Sequence, residues 1–256
     1  MPREGEWRVD AMNAQRHLFA MKLAAVFLAL ILGLSLSCSS VVTHGNTAIV
    51  PVPETGRNHE SLALQWAKDH PGDYDIEFIG DSITEGWEGE GRNVWQEFYG
   101  RRRVINMGVG GERTQNVLWR FNQGQLRDIN AKVAVVLIGT NNSNGDDNSA
   151  PEILEGVTAI VNQIRQYQPK TKIILLGIFP RSAFRAQREK ILEVNDGLAR
   201  LDDGESIFYI DIRSQLMESD GSISMEIMPD LLHLSEQGYR IWAQAMEPKI
   251  KELLAN

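Results

Sequence analysis

Hydrophobic and polar positions change period again and again after about residue 59, and the changes are regular. Residues 59–68 carry a helical pattern that stops at His70-Pro71-Gly72, and a short, largely apolar run, Ile76-Glu77-Phe78-Ile79, follows. Largely apolar runs recur at 104–107, 133–138, 173–176 and 207–210, and the run at 133–138 is apolar at every position. Runs of this kind predict strands covered on both faces, as in a parallel sheet flanked by helices. The intervening stretches read as helices. Residues 94–99 stop at Gly100, and residues 114–122 set Val117, Leu118 and Phe121 on one side. Residues 151–167 begin with proline in the first turn and repeat Ile153, Val157, Ile160 and Ile164 at helical spacing. Residues 188–201 form another helical stretch, and 235–254 close the chain as a long helix with Ser235 as its N-cap. Strand and helix alternating five times predict an α/β fold, a three-layer α/β/α sandwich around a parallel sheet.

Upstream the pattern is different. Residues 23–36 form one apolar run of 14 positions, preceded by Arg16 and Lys22 and followed by Ser37-Cys38-Ser39-Ser40. A membrane span wants about 20 apolar residues. The run therefore predicts the core of a signal peptide, with Met21 as a candidate start alongside Met1 and Met12. Cys38, where that core ends, resembles the lipid-bearing cysteine of a bacterial lipoprotein leader, although Ser35 stands where such leaders usually carry leucine. Ordinary cleavage and a retained anchor are the alternatives. Residues 1–40 are thus expected to be a leader, 41–58 (with Pro51, Pro53 and Gly56) a tether, and 59–256 the folded domain. The expected location is exported, periplasmic or extracellular, with membrane attachment through a lipid on Cys38 in the anchored case.

Composition narrows the partners. The net charge is −8, and with four basic and three acidic side chains in residues 1–38 the remainder carries −9. Arg101-Arg102-Arg103 is the longest basic run, so nucleic acid is not an expected partner. A single cysteine excludes an intramolecular disulfide.

Chemistry enters at Gly80-Asp81-Ser82-Ile83-Thr84, where the first apolar run ends abruptly in a polar cluster. A buried parallel strand would deliver Ser82 to the carboxyl edge of the sheet, where open α/β folds gather their reactive groups. Serine needs a base to take its proton, and the base needs a group to hold it. Asp230 and His233, three apart, have the spacing to meet on a helical turn; a surface histidine near an N-cap aspartate fits that pair alone equally well. Gly110-Gly111 lies after the second strand and Gly139-Thr140-Asn141-Asn142 after the third. The N–H groups of Ser82 and Gly111 and the Asn141 amide are candidate donors to a developing oxyanion. Each is ordinary turn chemistry by itself, but three successive strands present one at the same edge.

These blocks, in this order, resemble the SGNH (GDSL-like) hydrolase family over residues 75–245. The stretch from Asn106 through Gly110-Gly111-Glu112-Arg113-Thr114 to Val117-Leu118-Trp119-Arg120 is similar to the branch containing the catalytic subunits of intracellular platelet-activating-factor acetylhydrolase, as are Gly139-Thr140-Asn141-Asn142 and His233-Leu234-Ser235. The resemblance implies a five-stranded, flavodoxin-like sheet, Ser82 as nucleophile, His233 as general base and acid, and Asp230 orienting His233. It also implies an oxyanion hole of the Ser82 N–H, the Gly111 N–H and the Asn141 amide, with no metal and no organic cofactor. Ile83 departs from the leucine of the GDSL signature, which adjusts packing only.

The implied activity is a serine esterase acting on short, foremost acetyl, esters. Export would favour acetylated carbohydrate as substrate. An acyltransferase with the same nucleophile, a lipase or phospholipid acetylhydrolase, and a non-catalytic glycan-binding relative are the alternatives. Trp87, Trp119 and Phe184 are candidate linings for the mouth of the site, with Trp119 equally a packed helix residue. Met225 and Met228 read as loop packing.

Overall fold

The computed structural model describes residues 45–53, 59–181 and 184–255, with side chains from residue 63 in the second segment. The leader, Cys38, the candidate start at Met21 and residues 54–58 of the expected tether lie outside these residues. All described residues belong to one compact unit, Gly45–Asn256.

Among the described residues seven α-helices and five strands follow in the order α1 (His59–Asp69), β1 (Gly72–Gly80), α2 (Ser82–Glu85), α3 (Arg92–Tyr99), β2 (Val104–Gly108), α4 (Thr114–Asn122), β3 (Ile129–Leu137), α5 (Ala150–Tyr167), β4 (Lys172–Leu176), α6 (Arg185–Leu198), β5 (Ile207–Ile210) and α7 (Glu236–Ala255). All four strand pairings are parallel, in the spatial order β2-β1-β3-β4-β5. That is the flavodoxin-like winding, in which the order reverses between β1 and β3.

The expected elements are all present, with shifted edges. β1 and β3 begin four residues before the runs seen at 76–79 and 133–138. The first half of β3 alternates buried and exposed positions, that of β1 mixes exposed and half-buried positions with one buried one, and only the second halves are buried at every position. Continuous apolarity therefore marks the part of a strand that is covered on both faces and misses the part covered on one. Helix α6 starts at Arg185 instead of 188, because its first turn is polar and exposed, and it ends at Leu198, with residues 199–201 in a 3-10 turn.

Two cores flank the sheet. On one face Ile79, Ile105, Val136 and Leu175 pack against Val117 and Phe121 of α4, Ile153, Val157 and Ile160 of α5, and Val194 of α6. On the other, Ile76, Phe78, Val135 and Leu176 pack against Val94 and Tyr99 of α3 and against Trp242, Met246 and Ile250 of α7. Pro248 is accommodated within α7.

Residues 45–53, within the expected tether or lead-in, dock on the domain. Ala48 is fully buried. Its carbonyl accepts from Thr114 Oγ1 at 2.8 Å, Val52 N donates to the Gln115 carbonyl, and Asn116 Nδ2 donates to the Val52 carbonyl. Thr47 Oγ1 accepts from Asn148. Proline content marks an extended backbone but not whether polar side chains on a helix elsewhere satisfy it.

Candidate active site

β1 runs buried to Gly80, and Asp81 caps a one-turn helix whose first residue is Ser82. The Asp81 carboxylate Oδ1 accepts from Ile83 N at 3.0 Å, and the Asp81 carbonyl accepts from Glu85 N. A Cβ on Gly80 would lie 2.3 Å from the Leu137 carbonyl, so glycine is required where β1 passes β3. Asp81 is fully buried, and that burial raises its carboxyl to about 7, opposed by the Ile83 N–H. As the first residue of a helix, Ser82 has an N–H with no intrahelical acceptor.

His233 arrives from the opposite end of the chain. Its Nε2 lies 2.9 Å from Ser82 Oγ, and its Nδ1 lies 2.7 Å from Asp230 Oδ2. Asp230 and His233 do not meet on a helical turn, as their spacing suggests. Leu231 sits at φ 62, and the other Asp230 oxygen accepts from Leu232 N (3.0 Å) and His233 N (2.7 Å). The carboxylate thus closes a side-chain turn over its own successors, which brings the imidazole back to it. Ser235 then accepts from Gly238 N as the first turn of α7 begins. Partial burial works to raise the Asp230 carboxyl, and the hydrogen bonds from the His233 ring and from the two N–H groups outweigh it, leaving it below its usual range. The side chain itself is 55% exposed, so hydrogen bonding and not enclosure holds it.

The next two strand exits carry the proposed donors. Gly111 has φ 84 and is exposed, in a backbone region that side chains disfavour. Asn141 opens a 3-10 turn after β3, and its Nδ2 donates to the Glu112 carbonyl at 2.8 Å. One amide proton is therefore committed to the residue after Gly111, which leaves the second to point elsewhere. Asn142 is fully buried. Its Oδ1 accepts from Thr114 N, and its Nδ2 donates to Thr114 Oγ1, Gln115 and Asn148.

Three groups near the site carry no role assigned from the sequence. Arg181, at the exit of β4, donates from Nη1 to the Thr140 carbonyl at 2.7 Å. Burial pushes its guanidinium down, while the Asp81 and Asp230 charges hold it up. Its position after the fourth strand, matching Ser82, Gly111 and Asn141 after the first three, was the available signal. The others are Glu112 and Arg120, a wholly buried pair behind Gly111.

Of the suggested mouth linings, Trp87 is buried instead. It packs among Phe78, Trp95, Tyr99, Tyr239 and Trp242, because the 3-10 turn after α2 faces the second core. Trp119 is half-buried on α4, Phe184 is exposed, and Met228 is buried while Met225 is exposed. Among the described residues no cluster of His, Cys, Asp or Glu side chains is arranged to hold a metal ion.

A five-stranded parallel sheet in this order, with a serine, a histidine and a carboxylate in contact at its carboxyl edge, is the arrangement of the SGNH hydrolases. The profile of the GDSL-like Lipase/Acylhydrolase family matches residues 78–241, and the chain belongs to that family. It is similar to platelet-activating factor acetylhydrolase IB subunit alpha2 of Rattus norvegicus, 37% identical over 182 residues that make up 70% of this chain and 77% of the relative. In fold it is similar to a GDSL-like lipase from Bacteroides thetaiotaomicron (TM-score 0.61, 18% identity, covering 75% of this chain and 97% of that one). An acetylxylan esterase from Geobacillus stearothermophilus is also similar in fold (TM-score 0.54, 17% identity, 69% and 94% covered). The chain is an ester-hydrolysing enzyme.

Proposed function

We propose that the chain is a serine esterase that releases short acyl groups, acetate foremost, through an acyl-enzyme on Ser82. The observation carrying this reading is the unbroken relay from Ser82 Oγ to His233 Nε2 (2.9 Å) and from His233 Nδ1 to Asp230 (2.7 Å). With Nδ1–H donating a hydrogen bond to the Asp230 carboxylate, Nε2 holds the lone pair that accepts the Ser82 proton. Oγ attacks the ester carbonyl, and the oxyanion that forms is met by the N–H groups of Ser82 and Gly111 and by the uncommitted Asn141 amide proton. His233 then returns its proton to the leaving alcohol, and a water activated by the same nitrogen releases the acid. No step calls on a metal or an organic cofactor.

Preference for acetate is supported by the name of the relative matched over most of the chain, an acetylhydrolase subunit. An exported enzyme would meet acetylated carbohydrate, and that substrate class rests on the apolar run and Cys38 at residues 23–38. A ladder of nitrophenyl esters from acetate to palmitate, run beside Ser82→Ala, tests the activity. The expected result is a peak at acetate and, in the variant, turnover lowered by about 10⁴-fold or more. A peak at long chains would replace the reading with a lipase, and acyl transfer to an added sugar in preference to water would replace it with a transferase. Export and lipidation are tested by fractionating cells that express the full chain or Cys38→Ala. Equal partition into the soluble cytoplasm for both would reject the leader.

A further inference from the structure

Arg120 is a large charged side chain on α4 with no exposed surface. Its guanidinium forks onto Glu112, also fully buried, with Nε at 2.7 Å from Oε1 and Nη2 at 2.6 Å from Oε2. Nη2 also donates to the Met107 carbonyl at 3.1 Å, and Nη1 donates to Gln125 Oε1. Met107 and Glu112 bracket the turn from Gly108 to Gly111. One planar cation thus holds both ends of the turn that presents the Gly111 N–H, and Glu112 in addition accepts the Asn141 amide on its main-chain carbonyl.

A buried ion pair is a poor device for stability, because well-packed apolar residues in its place are often as stable or more so. What the bidentate fork supplies is geometry: a carboxylate and a guanidinium meet in one plane and in one register. From this we infer that Arg120 and Glu112 are positioning residues for the oxyanion hole, setting the Gly111 N–H and aiming the Asn141 amide. Gly111, exposed and at φ 84, has no side chain to anchor it; its turn is closed by Glu112 N donating to the Val109 carbonyl at 3.3 Å, and the ion pair holds that turn from Met107 and from the Glu112 side chain. The inference rests on the oxyanion reading given above and adds to it what fixes the donors.

The test uses the full chain and nitrophenyl acetate, with kcat taken per active site titrated by a serine-directed covalent label. Either partner truncated alone leaves a buried charge, so the informative protein is the paired variant Glu112→Gln with Arg120→Met, which removes both charges. Asn141→Ala and the triple combination complete a cycle. If the pair acts by positioning, kcat of the paired variant falls about 10- to 100-fold, the range typical when groups supporting a site are removed. KM stays within about threefold, and the loss does not add to that of Asn141→Ala. A merely structural pair lowers the melting temperature and the fraction of titratable sites. It leaves kcat per site within about twofold of the parent, and that result overturns the inference. Full additivity in the cycle overturns it as well. An unchanged kcat in Asn141→Ala overturns the oxyanion reading itself, and that outcome is distinguishable from failure of the pair alone. Glu112→Asp with Arg120 intact, which keeps the charges and shortens the reach, is expected to lose kcat with the pair's stability largely kept.

Discussion

Glu77 sits in the middle of β1, opposite Ile105 on one side and Ala134 on the other, with no exposed surface. One carboxyl oxygen is 3.3 Å from Gln168 Nε2, and the other has no hydrogen-bond partner among the described residues. Burial raises this carboxyl to about 8, with Gln168 opposing, against 4.5 for an ordinary glutamate. The sign follows from proton binding. The folded chain holds the proton more tightly than the unfolded chain, so its contribution is fully present below about pH 4.5. It is lost progressively as the unfolded chain ionises first, and the loss is complete above about pH 8. At about 1.4 kcal/mol for each tenfold change in proton affinity, the limit is roughly 5 kcal/mol, and relaxation with water entry brings the expected loss to about 2–4 kcal/mol. Glu77→Gln keeps the shape of the protonated side chain and cannot ionise. Urea unfolding, followed by tryptophan fluorescence, should show variant and parent within about 1 kcal/mol of each other at pH 5. At pH 8.5 the variant should be more stable by about 2–4 kcal/mol. A gap between the two that stays constant from pH 5 to pH 8.5 would refute the reasoning, because Glu77 would then be equally ionised in the folded and unfolded chains. The experiment bears on the site as well, since β1 is the strand that carries Ser82.

Other expectations can be checked with the same protein. Ser82→Ala and His233→Ala should each keep the parent's melting temperature and circular dichroism while lowering kcat by about 10⁴-fold or more, leaving a residual of about 10³–10⁴ over water. Asp230→Asn should cost less than His233→Ala by about tenfold or more, as truncating the orienting group usually does, read as kcat on nitrophenyl acetate. Thr114→Val removes the hydroxyl that donates to Ala48 and accepts from Asn142, and should lower unfolding free energy by about 1–3 kcal/mol while loosening residues 45–53 toward proteolysis. Asn141→Ala should cost roughly 3–4 kcal/mol in kcat/KM; a change confined to KM would make Asn141 a ground-state contact.

Much of the fold was legible because its signals are local. A strand covered on both faces must be apolar at successive positions, and a helix packed on a sheet must repeat at its own period, so each element announces itself within ten residues or so. Residues 207–210 and 114–122 were read with their observed limits for that reason. The half-covered starts of β1 and β3 and the polar first turn of α6 lack that local signal, and their limits shifted. The docked segment at 45–53 has almost none of it, since a buried Ala48 and partners on α4 and α5 do the work.

The candidate site divides the same way. Gly80-Asp81-Ser82, Gly110-Gly111 and Asn141 were visible because sheet topology sends every strand exit to one edge, and the sequence states where strands end. Taken alone, Asp230 and His233 could be proposed as partners but not shown to meet Ser82, 151 residues away from His233. The sequence determined the order of elements, the class of fold and the residue types available at the reacting edge. Only the tertiary structure decided that Leu231 turns left-handed so that Asp230 reaches His233, that Trp87 faces the core, and that Arg120 and Glu112 close on each other behind Gly111. The physical reason is that hydrophobic period depends on neighbours along the chain, whereas a hydrogen bond or an ion pair depends on direction and distance between groups that the chain brings together only after it has folded.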